Sequence, residues 1–154
     1  MRVWNDTWIH WQSGQVYNLP ADSRDQRLEV SVVFTTTSGT LSALKRAARL
    51  AQDLTSKITL LLPQVVPYPL ELTEPPVPTR FNLRRLRAIA LQSPLPTDVR
   101  LCLCRDRAAA VASQLRPGSL VVLGTRKRWW PTRDERLAAT LRKAGHEVIV
   151  VETE

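Results

Sequence analysis

From residue 30 to the C-terminus, short apolar runs alternate with segments in which apolar residues recur at helical spacing. The apolar runs are rich in β-branched residues and are typical of strands buried on both faces. They cover residues 30–35, 57–66, 98–104, 119–124 and 147–152. The segments between them predict helices at residues 40–55, 80–92, 106–115 and 132–144. This alternation predicts an α/β fold in which a five-stranded parallel sheet carries helices on both faces.

Capping residues mark the ends of two predicted helices. Thr132 and Glu135 form the pattern of a capping box, in which the hydroxyl and the carboxylate each accept an amide hydrogen. Asp106 is a suitable N-cap for the helix that follows it. Gly145 is placed to end the last helix in a left-handed turn.

Residues 67–79 interrupt this order, because five of the eleven prolines lie there. Proline fixes φ and has no amide hydrogen, so this stretch cannot form a regular helix or a central strand. It is predicted to be an extended loop, and long loops inside compact domains are frequently functional.

Residues 1–29 differ from the rest and contain three of the five tryptophans. The stretch WIHWQSGQVYNL has two short runs around Ser13-Gly14, which predicts a β-hairpin followed by a polar linker. A lone hairpin is marginally stable in water, so this one is expected to pack on the main domain or on a second copy of the chain. The predicted organisation is an N-terminal hairpin extension over 1–29 and an α/β domain over 30–154.

The composition is that of an ordinary globular domain. Of the 154 residues, 44% are hydrophobic and 23% are charged. No apolar run approaches the roughly 20 residues that a membrane span needs, and polar residues interrupt any signal-peptide core near the N-terminus. These features predict a cytoplasmic protein with no membrane partner.

The formal net charge is +8, which suits a polyanionic partner such as nucleic acid. The arginines are spread over several segments, however, and the chain has no aromatic-and-basic RNA-binding signature. A solvated basic surface is therefore favoured over a nucleic-acid site. A basic nucleic-acid-binding protein that uses residues 80–92 and 126–133 stays open as an alternative.

Candidate catalytic and metal-binding residues are sparse. Cys102 and Cys104 lie two apart in an apolar run, so we expect small core side chains rather than a disulfide or a metal site. His10 and His146 lie in unrelated contexts. Because no nucleophile–base pair, carboxylate pair or metal cluster is recognisable, the chain is predicted not to be an enzyme and to have no catalytic residue.

The segment SLVVLGTRKRWW at residues 119–130 holds the main candidate site. Gly124 is predicted to end a strand at the carboxyl edge of the sheet, where folds of this type bind ligands. The three cations that follow favour an anion as the ligand. Trp129 and Trp130 are interpreted as an anchor for a protein partner rather than a platform for base stacking, and the N-terminal hairpin is a natural partner for them.

Residues 30–152 resemble the universal stress protein family. The family's first helix and second strand are matched by LSALKRAARLAQDLTSKITLLL, its fourth strand and glycine turn by LVVLGTR, and its closing helix and strand by LAATLRKAGHEVIVVE. The resemblance implies a Rossmann-like sheet with strand order 3-2-1-4-5 and a role in the stress response. It also implies a homodimer through the last strand, to which the N-terminal hairpin is a further candidate contact.

Members of that family that bind ATP share a set of motifs. An Asp ends the first strand, a G-x-x-G turn follows the fourth, and a Gly with Ser or Thr begins the last helix, so that backbone amides surround the phosphates. The resemblance places the corresponding nucleotide contacts of this chain at Thr35, Thr36, Gly124, Thr125, Arg126, Lys127 and Arg128.

This chain departs from those motifs at most positions. Thr35 stands in place of the Asp, and Lys127 stands in place of the second glycine. Asp134 and Glu135 stand where the last helix should begin with Gly and Ser or Thr. A carboxylate there occupies the place of a phosphate, and two like charges about 4 Å apart repel by roughly 1 kcal/mol in water and more when partly desolvated.

We therefore expect a regulatory or binding module of the universal-stress type, homodimeric, with a degraded nucleotide site, no cofactor and no catalysis of its own. An ATP- or other anion-binding stress protein that uses the loop from Gly124 to Arg128 stays open as an alternative.

Overall fold

The structure is a computed structural model that describes residues 8–12, 15–16, 29–54 and 57–153. The described residues form seven strands and four helices. In chain order these are β1 (Trp8–Gln12), β2 (Gln15–Val16), β3 (Glu29–Val33), α1 (Thr37–Leu54), β4 (Lys57–Val65), α2 (Thr79–Ala90), β5 (Thr97–Cys104), α3 (Arg107–Gln114), β6 (Leu120–Arg126), α4 (Arg133–Lys143) and β7 (Glu147–Thr153).

The strands lie side by side in the order β2-β1-β5-β4-β3-β6-β7. All neighbours from β5 to β7 run parallel. Numbered from β3, these five strands have the order 3-2-1-4-5, which confirms the predicted sheet. The chain reverses its direction of winding between β3 and β6, and ligands of such folds bind beyond the carboxyl ends of the strands at this point.

Helices cover both faces of the sheet, as the sequence predicted. On one face α1 and α2 pack on alternate residues of the central strands, among them Val30, Val32, Ile58, Leu60 and Val122. On the other face α3 and α4 pack on strand residues of the opposite alternation, which include Val33, Val121, Leu123 and Val148. Because each central strand is buried on both faces, its sequence is a continuous apolar run.

The predicted capping residues of two helices are confirmed. The Thr132 hydroxyl accepts from the Glu135 amide at 3.2 Å, and the Glu135 carboxylate accepts from the Thr132 amide at 2.8 Å. The Asp106 carboxylate accepts from the Ala109 amide at 3.0 Å. Gly145 has φ 92°, the left-handed conformation that ends α4.

The N-terminal strands pair in the manner of a hairpin. β1 pairs antiparallel with β2, and it also pairs in parallel with the outer edge of β5. The predicted turn at Ser13-Gly14 and the predicted linker, PADSRDQR at residues 20–27, lie outside the described residues. The division into two parts at residue 30 stays a prediction.

The proline-rich loop after β4 forms neither helix nor strand, as predicted. The Arg105 guanidinium holds it, donating to the carbonyl oxygens of Val66 at 2.8 Å and Leu70 at 2.7 Å. The same guanidinium lies 4.2 Å from the centroid of the Tyr68 ring. Among the described helices, none has the length and apolar character that a bilayer crossing demands.

Candidate functional site

The carboxyl ends of β3 and β6 bring most of the predicted site residues to one rim. Thr35 and Thr36 follow β3, and Thr125 and Arg126 end β6, its neighbour in the sheet. Lys127 follows directly. The topology therefore brings together the two segments that the family resemblance picked out, and within the chain each residue has contacts of its own.

Gly124 does not end a strand, so that prediction is wrong. It pairs with Val151, and β6 continues through Thr125 and Arg126, which pair with Glu152 and Thr153 of β7. The glycine serves close packing instead. A β-carbon built on Gly124 would lie 2.1 Å from the carbonyl oxygen of Gly39, at the first turn of α1. The residue lets a helix approach the strand.

Thr35 links the ends of β3 and β6. Its hydroxyl donates to the Gly124 carbonyl oxygen at 2.6 Å, and its amide donates to the Thr40 hydroxyl at 3.2 Å. An aspartate at this position could not make the first contact, because an ionised carboxylate only accepts hydrogen bonds. The threonine is therefore chemically suited to an internal role.

Thr36 caps α1. Its hydroxyl accepts from the Gly39 amide at 3.1 Å, which makes α1 begin at Thr37, three residues before the predicted start. The Arg85 guanidinium reaches the same turn from α2 and donates to the Thr37 hydroxyl at 2.7 Å. It also lies 5.3 Å from the centroid of the Phe34 ring.

Thr125 and the cations that follow have different environments. The Thr125 side chain is 2% exposed, and its hydroxyl has no hydrogen-bond partner among the described residues. By strand alternation it shares the α3–α4 face with Leu123. Arg126, Lys127 and Arg128 are exposed to solvent. The structure thus separates the buried hydroxyl from the cations that were predicted to act with it.

Arg107 is a residue of the rim that the sequence did not single out. One of its guanidinium nitrogens lies 2.8 Å from an Asp134 carboxylate oxygen, and the other donates to the Phe34 carbonyl oxygen at 3.4 Å. It thereby joins the first turn of α3 to the start of α4 and to the end of β3. The available signal was a cation directly after the cap Asp106, at the same edge as the acids of α4.

The N-terminus of α4 is occupied by the chain's own groups. The capping box of Thr132 and Glu135 uses one helix amide, and the Asp134 carboxylate is paired with Arg107. A helix N-terminus attracts anions through free amides and a positive dipole. Here two carboxylates already supply the negative charge.

Trp129 and Trp130 are the most exposed feature of this rim. Their side chains are 88% and 65% exposed, and their ring centroids are 4.9 Å apart with the planes tilted by 50°. Strand β1 lies beyond β5, with three strands between it and β6. The described part of the hairpin therefore lies at the opposite edge of the sheet from this pair.

The two thiols are buried and unreactive in character. Both cysteines are free, and burial raises the pKa of each. The pKa of Cys104 is raised to about 12, and burial is the largest cause. The nearby Cys102 and Asp106 raise it further, whereas the Arg107 cation lowers it. No group of three or more His, Cys, Asp or Glu in the described residues is arranged to hold a metal ion.

Three solved structures that are similar to this chain are universal stress proteins. One in complex with cAMP has 17% identity, with a TM-score of 0.54 over 83% of this chain and 98% of that chain. One from Archaeoglobus fulgidus has 13% identity, with a TM-score of 0.58 over 80% of this chain and 93% of that chain. A dAMP complex of the universal stress protein from that organism has 14% identity, with a TM-score of 0.54 over 81% of this chain and 97% of that chain. No family model and no curated protein matches the chain. The likeness establishes a universal-stress-type fold.

Proposed function

We propose that this chain is a non-catalytic binding module of the universal-stress type, active as a cytoplasmic homodimer, whose own side chains occupy the phosphate subsite of the fold. The observation that carries the proposal is the ion pair between Arg107 and Asp134 at the first turn of α4, at 2.8 Å. It stands at the rim where the fold offers its ligand site.

The charges at this turn oppose a nucleotide phosphate. The Asp134 and Glu135 side chains are only partly exposed, so their negative charge is less screened than on an open surface. A phosphate that replaced them would have to break the pairing with Arg107 and the capping box together. The resulting site resists nucleotides unless the acids are neutralised.

The second part of the proposal is a dimer through β7, the outermost strand on the β6 side. The Glu147 amide donates to Ser119 and the Thr153 carbonyl accepts from Lys127, so the odd-numbered residues of β7 bond to β6. Their neighbours in the strand must point the other way. Val150 therefore presents its amide and carbonyl to the open edge.

The open edge has few features that prevent pairing. The strand EVIVVET has neither proline nor lysine, the residues that commonly protect an edge. One outward carbonyl, that of Val148, accepts from the Arg142 guanidinium at 2.9 Å. The remaining groups support antiparallel pairing with a second copy.

Trp129 and Trp130 form a contact surface of the module that is separate from this edge.

Titration calorimetry with ATP and Mg²⁺, cAMP and dAMP tests the nucleotide part. We expect the wild-type chain to bind each more weakly than about 0.1 mM. The double variant Asp134→Asn, Glu135→Gln removes two charges but keeps a capping box, because glutamine also serves at that position. ATP should bind this variant about tenfold more tightly, since two repulsions of order 1 kcal/mol are relieved in part.

The matched control is Glu71→Gln, Glu74→Gln, which removes two exposed carboxylates from the proline-rich loop. It should leave ATP affinity unchanged. Low-micromolar ATP binding by the wild-type chain would contradict the proposal, and so would an equal gain in both double variants. The second result would assign the effect to net charge alone.

A further inference from the structure

The loop between β6 and α4 combines an exposed aromatic pair with a cluster of exposed cations. Together with the last residue of β6 and the first residue of α4, it covers residues 126–133, which we call the Trp–cation loop. Its two tryptophans are 88% and 65% exposed. This is a large exposed fraction, because burial of an aromatic side chain contributes more stabilising apolar area than burial of most other residues. Among the described aromatic rings, these two contact each other, with 4.9 Å between their centroids. They form a small apolar projection at the rim.

The positive charges of this loop have no partner among the described residues. The side chains of Arg126, Lys127, Arg128 and Arg133 are exposed and make no ion pair or hydrogen bond with other described residues. The next acids along the chain are directed inward, because Asp134 pairs with Arg107 and Glu135 caps α4. The loop therefore presents four cations beside two indole rings.

We propose that the Trp–cation loop docks on an anionic phospholipid surface. Indole rings partition to the headgroup region of a bilayer, where the ring is in an apolar layer and its N–H remains hydrated. Lysine and arginine close to such a surface are attracted by its negative potential. A short loop that offers both signals gives reversible binding. A surface contact of this kind needs no helix that crosses the bilayer.

The ring geometry disfavours one mode of nucleic-acid binding, a base held between the two tryptophans. A base held between two rings needs roughly 7 Å, two stacking contacts of about 3.5 Å each. The centroids of Trp129 and Trp130 are 4.9 Å apart and their planes are tilted by 50°. Single-strand sites also carry their cations along a groove, whereas these four lie in one projecting loop. The inference is independent of the proposed nucleotide subsite.

Vesicle flotation with the full chain tests the proposal. The probes are phosphatidylcholine vesicles with and without about 30% phosphatidylglycerol, at about 0.05 M and about 0.5 M NaCl. We expect binding to the anionic vesicles only, and a loss of at least tenfold at the higher salt. Each cation contributes roughly fivefold near such a surface, so Arg126→Ser, Lys127→Ser, Arg128→Ser should weaken binding about a hundredfold.

Two matched controls separate this loop from general charge and general apolarity. Lys45→Ser, Arg46→Ser, Arg49→Ser removes the same number of positive charges from the exposed side of α1. Phe81→Ala, Leu91→Ala removes apolar side chains that are 61% and 72% exposed. Both control variants should bind anionic vesicles within about threefold of the wild-type chain. Trp129→Ala, Trp130→Ala should reduce binding at least tenfold.

Circular dichroism and thermal unfolding verify that every variant is folded, as expected for exposed positions. Equal losses in the two triple variants would overturn the proposal, because net charge would then explain binding. Unchanged binding by the double tryptophan variant would also overturn it. Tighter binding to a single-stranded oligonucleotide than to anionic vesicles at the same salt would assign the loop to nucleic acid instead.

Discussion

Gly124 and Gly39 meet so closely that a β-carbon on Gly124 would lie 2.1 Å from the Gly39 carbonyl oxygen. The first turn of α1 consequently rests directly on strand β6. Thr35 secures the same junction, since its hydroxyl donates to the Gly124 carbonyl oxygen. The glycine that resembled part of a phosphate-binding turn is thus a packing residue.

Gly124→Ala should destabilise the protein by about 3 kcal/mol or more, because backbone rather than a flexible side chain must move. The comparison is Gly145→Ala, where the added methyl group meets open space but φ is 92°. That variant should cost about 1 kcal/mol. Urea unfolding of both measures the difference. A loss for Gly124→Ala no larger than that of Gly145→Ala would refute the close contact.

Thr35→Val should cost about 1 kcal/mol, since the Gly124 carbonyl oxygen loses its donor at 2.6 Å. Thr35→Ser keeps the hydroxyl and should cost less. Thr35→Asp restores the acid of the ATP-binding pattern, yet it should be the least stable of the three, because it places a carboxylate against a carbonyl oxygen. Thermal unfolding ranks them. A stable Thr35→Asp protein with new ATP affinity would show that the rim is still a nucleotide site.

Cys104 should make the protein sensitive to alkali. Its pKa is raised from 9.0 to about 12 in the folded state, chiefly by burial. The unfolded chain therefore ionises first, and the stabilising contribution, complete below pH 9, is lost between about pH 9 and 12. The loss should be of order 1 kcal/mol per pH unit in the lower part of that range.

Cys104→Ala isolates this effect, because every other titratable group is common to the two proteins. The stability difference between wild type and variant, measured by urea unfolding with reductant, should shrink as the pH rises from about 8 to about 10.5. A difference that stays constant across that range would mean that the thiol is not desolvated in the folded protein.

Val150→Pro should convert the proposed dimer to a monomer. The Val150 amide points to the open edge of β7, so proline there removes no bond to β6. Val151→Pro removes a bond to β6 and should destabilise the subunit itself. Sedimentation equilibrium, with unfolding measured in parallel, separates the two effects. A wild-type chain that stays monomeric at high concentration contradicts the dimer.

The order of elements followed from the sequence because strand and helix periodicities are local. Continuous apolar runs identified β3 through β7, and the capping box placed the start of α4 correctly. The predicted start of α1 was three residues too late, because TTSGT has the composition of a turn. Its first residue, Thr36, is in fact the cap of the helix. Local composition does not distinguish those two roles.

The contacts of the rim could not be predicted from the sequence, because they join distant parts of the chain. Thr35 and Gly124 are 89 residues apart, and nothing near either one indicates the other. The extension of β6 past Gly124 depends on partners in β7. The partner of Asp134 is Arg107, on a different helix. Predicting such pairs requires the register and the helix positions, which periodicity leaves undetermined.

The N-terminal strand limits how copies of the chain can join. β1 occupies the outer edge of β5, and β2 beyond it has two residues, Gln15–Val16. In the described chain β7 is thus the only long edge available for self-association. One self-complementary edge closes on a twofold axis after two copies, whereas two such edges would permit growth into filaments. Pairing through β7, as proposed, would therefore stop at two copies, because β1 covers the opposite edge of the parallel sheet.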